Sequence, residues 1–174
     1  MADPRIPLVN DDLRRLLALD ASRLASANIN PTTGLATDYL NHFNEAIMML
    51  EIVPEMPDCI EDFLAWQPLT YSEHFTKSQL RDRDLAVAAY DAAQPRARAR
   101  LDQLAETMNA LLVVTRDALR EGLPAHEASV LAEYAAVQLR PLVVEAGAVI
   151  NGHDKGPIVD DDVPQAEVDA LFAR

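Results

Sequence analysis

The sequence predicts an all-α fold, in the form of a helical bundle, and three observations support this prediction. Of the 174 residues, 49% are apolar, yet only five are glycine and only 5% are aromatic. Much of the apolar fraction is Ala and Leu, which favour helix over sheet. Apolar residues recur at spacings of three and four, and no segment alternates apolar and polar residues as a strand does. The length fits one domain, which we place at 1–150, followed by a tail at 151–174.

The first half of the chain is predicted to form short helices between proline and turn residues. Asn10 is a good N-cap for the first helix, and Asp58 is placed to cap the third. Thr70 with Glu73 three residues later matches the capping box that opens a helix. The turn residues of 28–34 predict a loop. The predicted helices span about 11–27, 36–53, 58–66, 71–75 and 79–93.

Pro95 leaves two alternatives, because proline either starts a helix or kinks one that is already running. Arg96, Arg98 and Arg100 follow it directly. Three cations in a first turn oppose the helix macrodipole. This conflict favours a helix that begins before Pro95, or arginines that bind acidic groups.

The pattern after residue 100 predicts two long helices that form an antiparallel hairpin. Helical spacing continues for five turns from Leu101, Gly122 ends that helix, and Pro124 starts the next. So short a link is typical of antiparallel neighbours. The return helix is expected at about 125–150, with Pro141 kinking or splitting it. Its apolar members are Val130, Leu131, Tyr134, Leu139, Leu142, Ala146 and Val149.

Charge and cysteine content exclude several classes of function. The net charge of −13 argues against binding to nucleic acid and to anionic membranes. The single cysteine, Cys59, cannot form an internal disulfide, and no Cys/His cluster has zinc-ligand spacing. We find no secretory signal and no run of 18 apolar residues, so we expect a cytoplasmic protein. The sequence indicates no cofactor.

One face of the second helix carries the best candidate for metal binding or acid–base chemistry. Asp38, His42 and Glu45 fall at i, i+4 and i+7 and share this face. Bundles hold dinuclear metals through Glu-x-x-His pairs, whereas this chain has only the reverse order, His42-x-x-Glu45. The alternative is a half-buried His42 that is hydrogen-bonded to Asp38, or a His42 that is simply exposed. The aromatic residues nearby, Tyr39, Phe43 and Trp66, are a weaker candidate for a small-ligand pocket.

The C-terminal segment predicts a short amphipathic helix beyond an acidic linker. Residues 164–172 read Pro-Gln-Ala-Glu-Val-Asp-Ala-Leu-Phe. This segment resembles the N-terminal peptide of flagellar motor switch proteins, Ser-Gln-x-Glu-Ile-Asp-x-Leu-Leu, although Pro164 and Phe172 depart from that pattern. In that family the peptide docks a chemotaxis response regulator. The resemblance implies these contact residues here: Gln165, Glu167, Val168, Asp169, Leu171 and Phe172.

The leading hypothesis is therefore a non-enzymatic protein that binds another protein through its C-terminal helix. The resemblance implies that the partner is a bacterial receiver-domain protein. Packing of this helix onto its own bundle is the alternative. A homodimer through the hairpin is also expected if an apolar face stays uncovered. The hypothesis from another class is an enzyme that uses Asp38, His42 and Glu45.

Overall fold

The computed structural model describes residues 20–153, and it confirms the all-α prediction for this part of the chain. Helices make up most of it, and residues 20–153 contain no strand. One-turn 3-10 helices at Thr37–Tyr39 and Pro57–Cys59 precede two of the α-helices. The α-helices are α1 (Ala21–Ser26), α2 (Leu40–Ile52), α3 (Ile60–Ala65), α4 (Tyr71–Lys77), α5 (Arg83–Asp91), α6 (Pro95–Arg120) and α7 (Ala125–Ile150).

The last helix, α7, lies between α6 and α2. Helix α6 reaches it through a short turn in which Gly122 has a φ of +82°, a conformation that favours glycine. Arg100, near the start of α6, pairs with Glu145, near the end of α7. On the other side, Arg140 pairs with Glu51 of α2. These contacts bury one face of α7 and position the surface described below.

Pro141 does not split α7, which runs unbroken from Ala125 to Ile150. The missing N–H of a proline leaves the carbonyl four residues earlier without its helical partner. Here that carbonyl belongs to Val137, and both Val137 and Pro141 are exposed. Water can therefore reach the unpaired carbonyl, and the helix continues past the proline.

Several predicted helix starts are confirmed and others are corrected. Thr70 and Glu73 form both halves of the capping box at α4. Asp58 does not cap α3, because it lies within a 3-10 turn and makes no side-chain cap bond. Helix α1 begins at Ala21, since Asp20 leaves helical geometry and its side chain accepts a hydrogen bond from the N–H of Arg23. The earlier part of the predicted first helix lies outside the described residues.

The arginine-rich start of α6 resolves the two alternatives at Pro95. A new helix begins there, with Pro95 in its first turn. The guanidinium of Arg98 lies 4.2 Å from the centre of the Tyr90 ring and 4.0 Å from a carboxylate oxygen of Asp102. Arg100 binds Glu145. Acidic and aromatic neighbours thus offset the unfavourable interaction of Arg98 and Arg100 with the positive end of the helix dipole.

The loop at 28–36 contains four buried residues and is hydrogen-bonded to three other parts of the fold. The hydroxyl of Thr33 donates to the carbonyl of Ile150 at 2.6 Å, at the end of α7. The carbonyl of Thr33 accepts from the N–H of Gln94 at 3.1 Å, just before α6. The N–H of Ala36 donates to the hydroxyl of Tyr71 at 2.9 Å. The loop therefore satisfies its buried polar groups by bonding the ends of distant helices.

Candidate functional site

A cluster of His42, His74 and Trp66 lies where α2, α3 and α4 meet. His42 on α2 is buried and stacks on Trp66, with ring centroids 4.7 Å apart and an interplanar angle of 24°. The His74 ring of α4 lies 5.8 Å from the His42 ring. The Nε2 atom of His42 and the Nε1 atom of Trp66 are buried without a hydrogen-bond partner among the described residues. The cluster therefore holds His42 as an aromatic packing element.

Burial determines the protonation of both histidines. Burial, and then the neighbouring His74, lowers the pKa of His42 to about 4. Burial also lowers the pKa of His74, although Asp38 and Glu45 act in the opposite direction. Both rings are thus favoured in the neutral form, which suits packing against Trp66.

The three predicted acid–base residues lie near His74, but no hydrogen bond of the described residues joins them to one another. Asp38 lies in the 3-10 turn before α2, where its carboxylate accepts a hydrogen bond from the Asn28 side chain at 3.3 Å. Glu45 is exposed, and no hydrogen bond joins His42 to Asp38. Across residues 20–153, no group of three or more His, Cys, Asp and Glu side chains is arranged to hold a metal. The enzyme hypothesis gains no support from this geometry.

The aromatic residues near this face belong to the core. Tyr39, Phe43 and Trp66 are all buried, and the hydroxyl of Tyr39 donates to the carbonyl of Leu69 at 2.9 Å. Burial, above all, raises the pKa of Tyr39, so its hydroxyl stays protonated. Their packing leaves the small-ligand hypothesis without support.

The same packing continues to α6. Tyr71 stacks on Tyr90 with centroids 4.4 Å apart, and the hydroxyl of Tyr90 donates to Asp102 at 2.6 Å. Burial and this bond raise the pKa of Tyr90 to about 12. The stacked rings thus join α4 to α5, and the Tyr90 hydroxyl joins α5 to α6.

A second candidate site is an exposed apolar face on α7, which we call the outer face. Four of its large side chains are each between 53% and 73% exposed, although a solvated helix face normally carries polar residues there. On the opposite side of α7, Ala132, Leu139 and Ala146 are fully buried. The helix is therefore apolar on both sides. The exposed residues of the outer face are Val130, Tyr134, Val137 and Val144.

Apolar residues of the two neighbouring helices extend the outer face. Met48 and Ile52 of α2 are exposed. Met48 lies one turn from Glu51, which binds Arg140, so it borders the outer face on that side. On α6, Val114 is exposed. It lies within about 40° of Arg100 around the helix axis, and Arg100 binds Glu145 of α7, so Val114 borders the outer face from the other side. Seven of the nine large apolar side chains exposed in residues 20–153 thus belong to this one region.

An open cavity of about 480 Å³ lies at one end of the outer face. Apolar side chains form most of its wall, with one imidazole and one carboxylate at its edge. It could receive an apolar side chain from a partner beside a hydrogen-bonding group. Its lining residues are Leu123, His126, Glu127, Val130, Leu131 and Tyr134.

The sequence analysis named Val130 and Tyr134 among the apolar members of α7 without dividing these members between its faces, and the structure exposes both side chains. A second stripe runs through Val130, Tyr134, Val137, Pro141 and Val144, at alternating spacings of four and three. Counting apolar residues on every side of the helix would have found it. The predicted contact residues of the C-terminal peptide lie outside the described residues: Gln165, Glu167, Val168, Asp169, Leu171 and Phe172.

No helix within residues 20–153 combines the length and the apolar character needed to cross a membrane. No protein-family model, curated protein or solved structure matches this chain.

Proposed function

We propose that this protein acts in the cytoplasm by binding other proteins and is not an enzyme. The observation that carries the proposal is the outer face of α7, where large apolar side chains are exposed at helical spacing. Contiguous apolar surface of this kind marks an interaction site more often than it occurs by chance. The antiparallel pair α6 and α7 serves in this proposal as the rigid scaffold of a helical bundle that presents the face.

The chemistry of the outer face favours a protein partner. Tyr and Met, which are enriched at protein interfaces, lie among aliphatic residues at the spacing of a helix–helix seam. The net charge of −13 opposes binding to phosphate-rich surfaces, whether of nucleic acid or of lipid. A partner with an apolar helical surface fits these properties best.

The C-terminal peptide supplies a second proposed contact, with a receiver-domain protein as its partner. Its resemblance to the motor switch peptide supports this part of the proposal. Val168, Leu171 and Phe172 would enter an apolar groove, while Glu167 and Asp169 would meet basic residues at its rim.

Two binding experiments test these contacts separately. For the outer face, capture by the full chain is compared with capture by the Val137→Glu variant. The Leu80→Glu variant is the matched control, since Leu80 is an exposed apolar residue outside the outer face. Loss of a partner in the first variant alone is the expected result, and equal capture by all three contradicts a role for the face.

For the peptide, a fluorescent version of residues 163–174 is titrated with purified receiver domains, and its anisotropy is measured. Replacing Leu171 and Phe172 by Ala should weaken binding at least tenfold, while Arg174→Ala, beyond the matched segment, should change it little. No binding by the unaltered peptide to any receiver domain would exclude this partner class.

A further inference from the structure

We propose that the outer face is the surface through which two copies of this chain associate, with their α7 helices antiparallel. The two-fold axis of the pair passes near residues 135 and 136. This inference rests on the proposed function, because it names the occupant of the same face.

The spacing of the outer face is that of a coiled-coil seam. Apolar residues alternate at intervals of four and three from Val130 to Ala148, through Tyr134, Val137, Pro141 and Val144. This is the heptad pattern by which one helix packs lengthwise against another. The opposite side of α7 is already buried by the chain's own core. A helix apolar on both sides is typical of one that is covered on both sides.

The charges beside the seam of one copy are complementary to those of a second, antiparallel copy. Glu133 and Arg140 lie seven residues apart along the same edge of the stripe. In an antiparallel pair, equivalent edge positions of the two helices face each other, so Glu133 meets Arg140 of the second copy. The two-fold axis repeats this contact. Glu51 of α2 already holds the Arg140 guanidinium beside the seam, with Nε donating at 2.8 Å.

The same register gives apolar layers along the seam. Tyr134 packs on Val137 of the second copy, and Val130 packs on its Pro141. Each contact occurs twice, because an interface with two-fold symmetry uses the same patch on both partners. The sequence of α7 thus contains both halves of the proposed interface.

The size of the outer face favours a second copy of the chain over the C-terminal peptide as its binding partner. The stripe from Val130 to Ala148 is roughly 27 Å long, whereas residues 164–172 in helical form would cover about 13 Å. A stable interface buries roughly 800 Å² on each partner, more than one helix edge supplies. Met48 and Ile52 of α2 and Val114 of α6 are exposed beside the stripe and provide further apolar surface. A second copy with the same three helices can cover all of it.

The first test measures the mass of the full chain in solution by light scattering and sedimentation over a range of concentrations. The chain has a mass of 19.2 kDa, and we expect twice that value. Val137→Glu should weaken association at least tenfold, because it places a carboxylate in the seam. Leu80→Glu adds the same charge elsewhere and should leave the dimer intact, and circular dichroism checks that both variants fold.

Three outcomes of this test would overturn the proposal: a monomer at every concentration, a dimer unaffected by Val137→Glu, and loss of the dimer on replacing Leu171 and Phe172 by Ala. The third would assign the occupant to the C-terminal peptide. A monomer whose outer face still captures a different protein would overturn this inference and leave the proposed function standing.

The second test determines the orientation by disulfide cross-linking in a Cys59→Ser background, with diamide as the oxidant. In the antiparallel pair, Val137→Cys lies near the axis and should cross-link to itself. The Val144→Cys variant alone should not cross-link. A mixture of the Val144→Cys and Val130→Cys variants should form the mixed disulfide. Efficient self-cross-linking of Val144→Cys would indicate parallel helices and overturn the arrangement.

Discussion

His42 is a buried imidazole that the fold keeps neutral, and this makes stability depend on pH. Its pKa falls from 6.5 to about 4 on folding, chiefly through burial. Between these values the unfolded chain binds a proton that the folded chain does not. The free energy of unfolding is therefore unaffected by the His42 titration above pH 6.5. It decreases as the pH falls from 6.5 toward 4.

We predict that His42→Phe removes most of this pH dependence. Between pH 7 and pH 5 the unaltered chain should lose about 2 kcal/mol of stability more than the variant does. Urea unfolding followed by the fluorescence of Trp66, the only tryptophan, measures the difference. His153→Phe, at an exposed position, should keep the original pH dependence. The same loss in both variants would show that His42 is not responsible.

Two glycines with similar backbone conformations differ in the space around them. Gly34 and Gly122 have φ values of +76° and +82°. A Cβ atom on Gly34 would lie 2.9 Å from the carbonyl oxygen of Ala89, whereas one on Gly122 would meet nothing within 4 Å.

Gly122→Ala should therefore cost about 1 kcal/mol, from the left-handed conformation alone. Gly34→Ala should cost about 3 kcal/mol or more, because backbone atoms must also move. Thermal and urea unfolding of the two variants measures the gap. Equal losses would mean that the loop at 28–36 shifts freely against α5.

At the scale of the element, α7 tolerates a proline that interrupts its hydrogen bonding. Pro141→Ala restores the N–H that can donate to the carbonyl of Val137. We predict a gain of about 1 to 3 kcal/mol, measured in the Val137→Glu background so that association does not contribute. Gln138→Ala, on the same exposed side, should gain only a few tenths of a kcal/mol. A gain no larger than this control would show that the proline costs the helix little.

Local sequence signals predicted the elements of the fold better than their tertiary roles. The bounds of α7 and the capping box at Thr70 followed from turn residues and side-chain spacing, which act within a few positions. The burial of His42 did not, because Trp66 and His74 come to it from other helices. The exposure of Val130 and Tyr134 did not follow from the sequence either, since periodicity shows that a face is apolar but not whether the chain covers it.

At the scale of the whole molecule, the net charge of −13 opposes the proposed association of two copies. Raising the ionic strength from about 0.05 M to about 0.5 M shortens the screening length from roughly 14 Å to roughly 4 Å. The dimer should therefore become several-fold tighter, as sedimentation at the two salt concentrations would measure. A dimer that weakens in salt would be held by charge and not by its apolar seam.

The long-range bonds of the loop at 28–36 affect the order in which the chain assembles. The bond from Thr33 to Ile150 joins residues 117 positions apart, while α6 and α7 meet across a turn of a few residues. Contacts between near neighbours in sequence form sooner than distant ones, because they close smaller loops. The two long helices can pair early, whereas the loop must wait until Gln94, Tyr71 and the end of α7 have come together. A segment that precedes most of the fold in sequence is then among the last to reach its place.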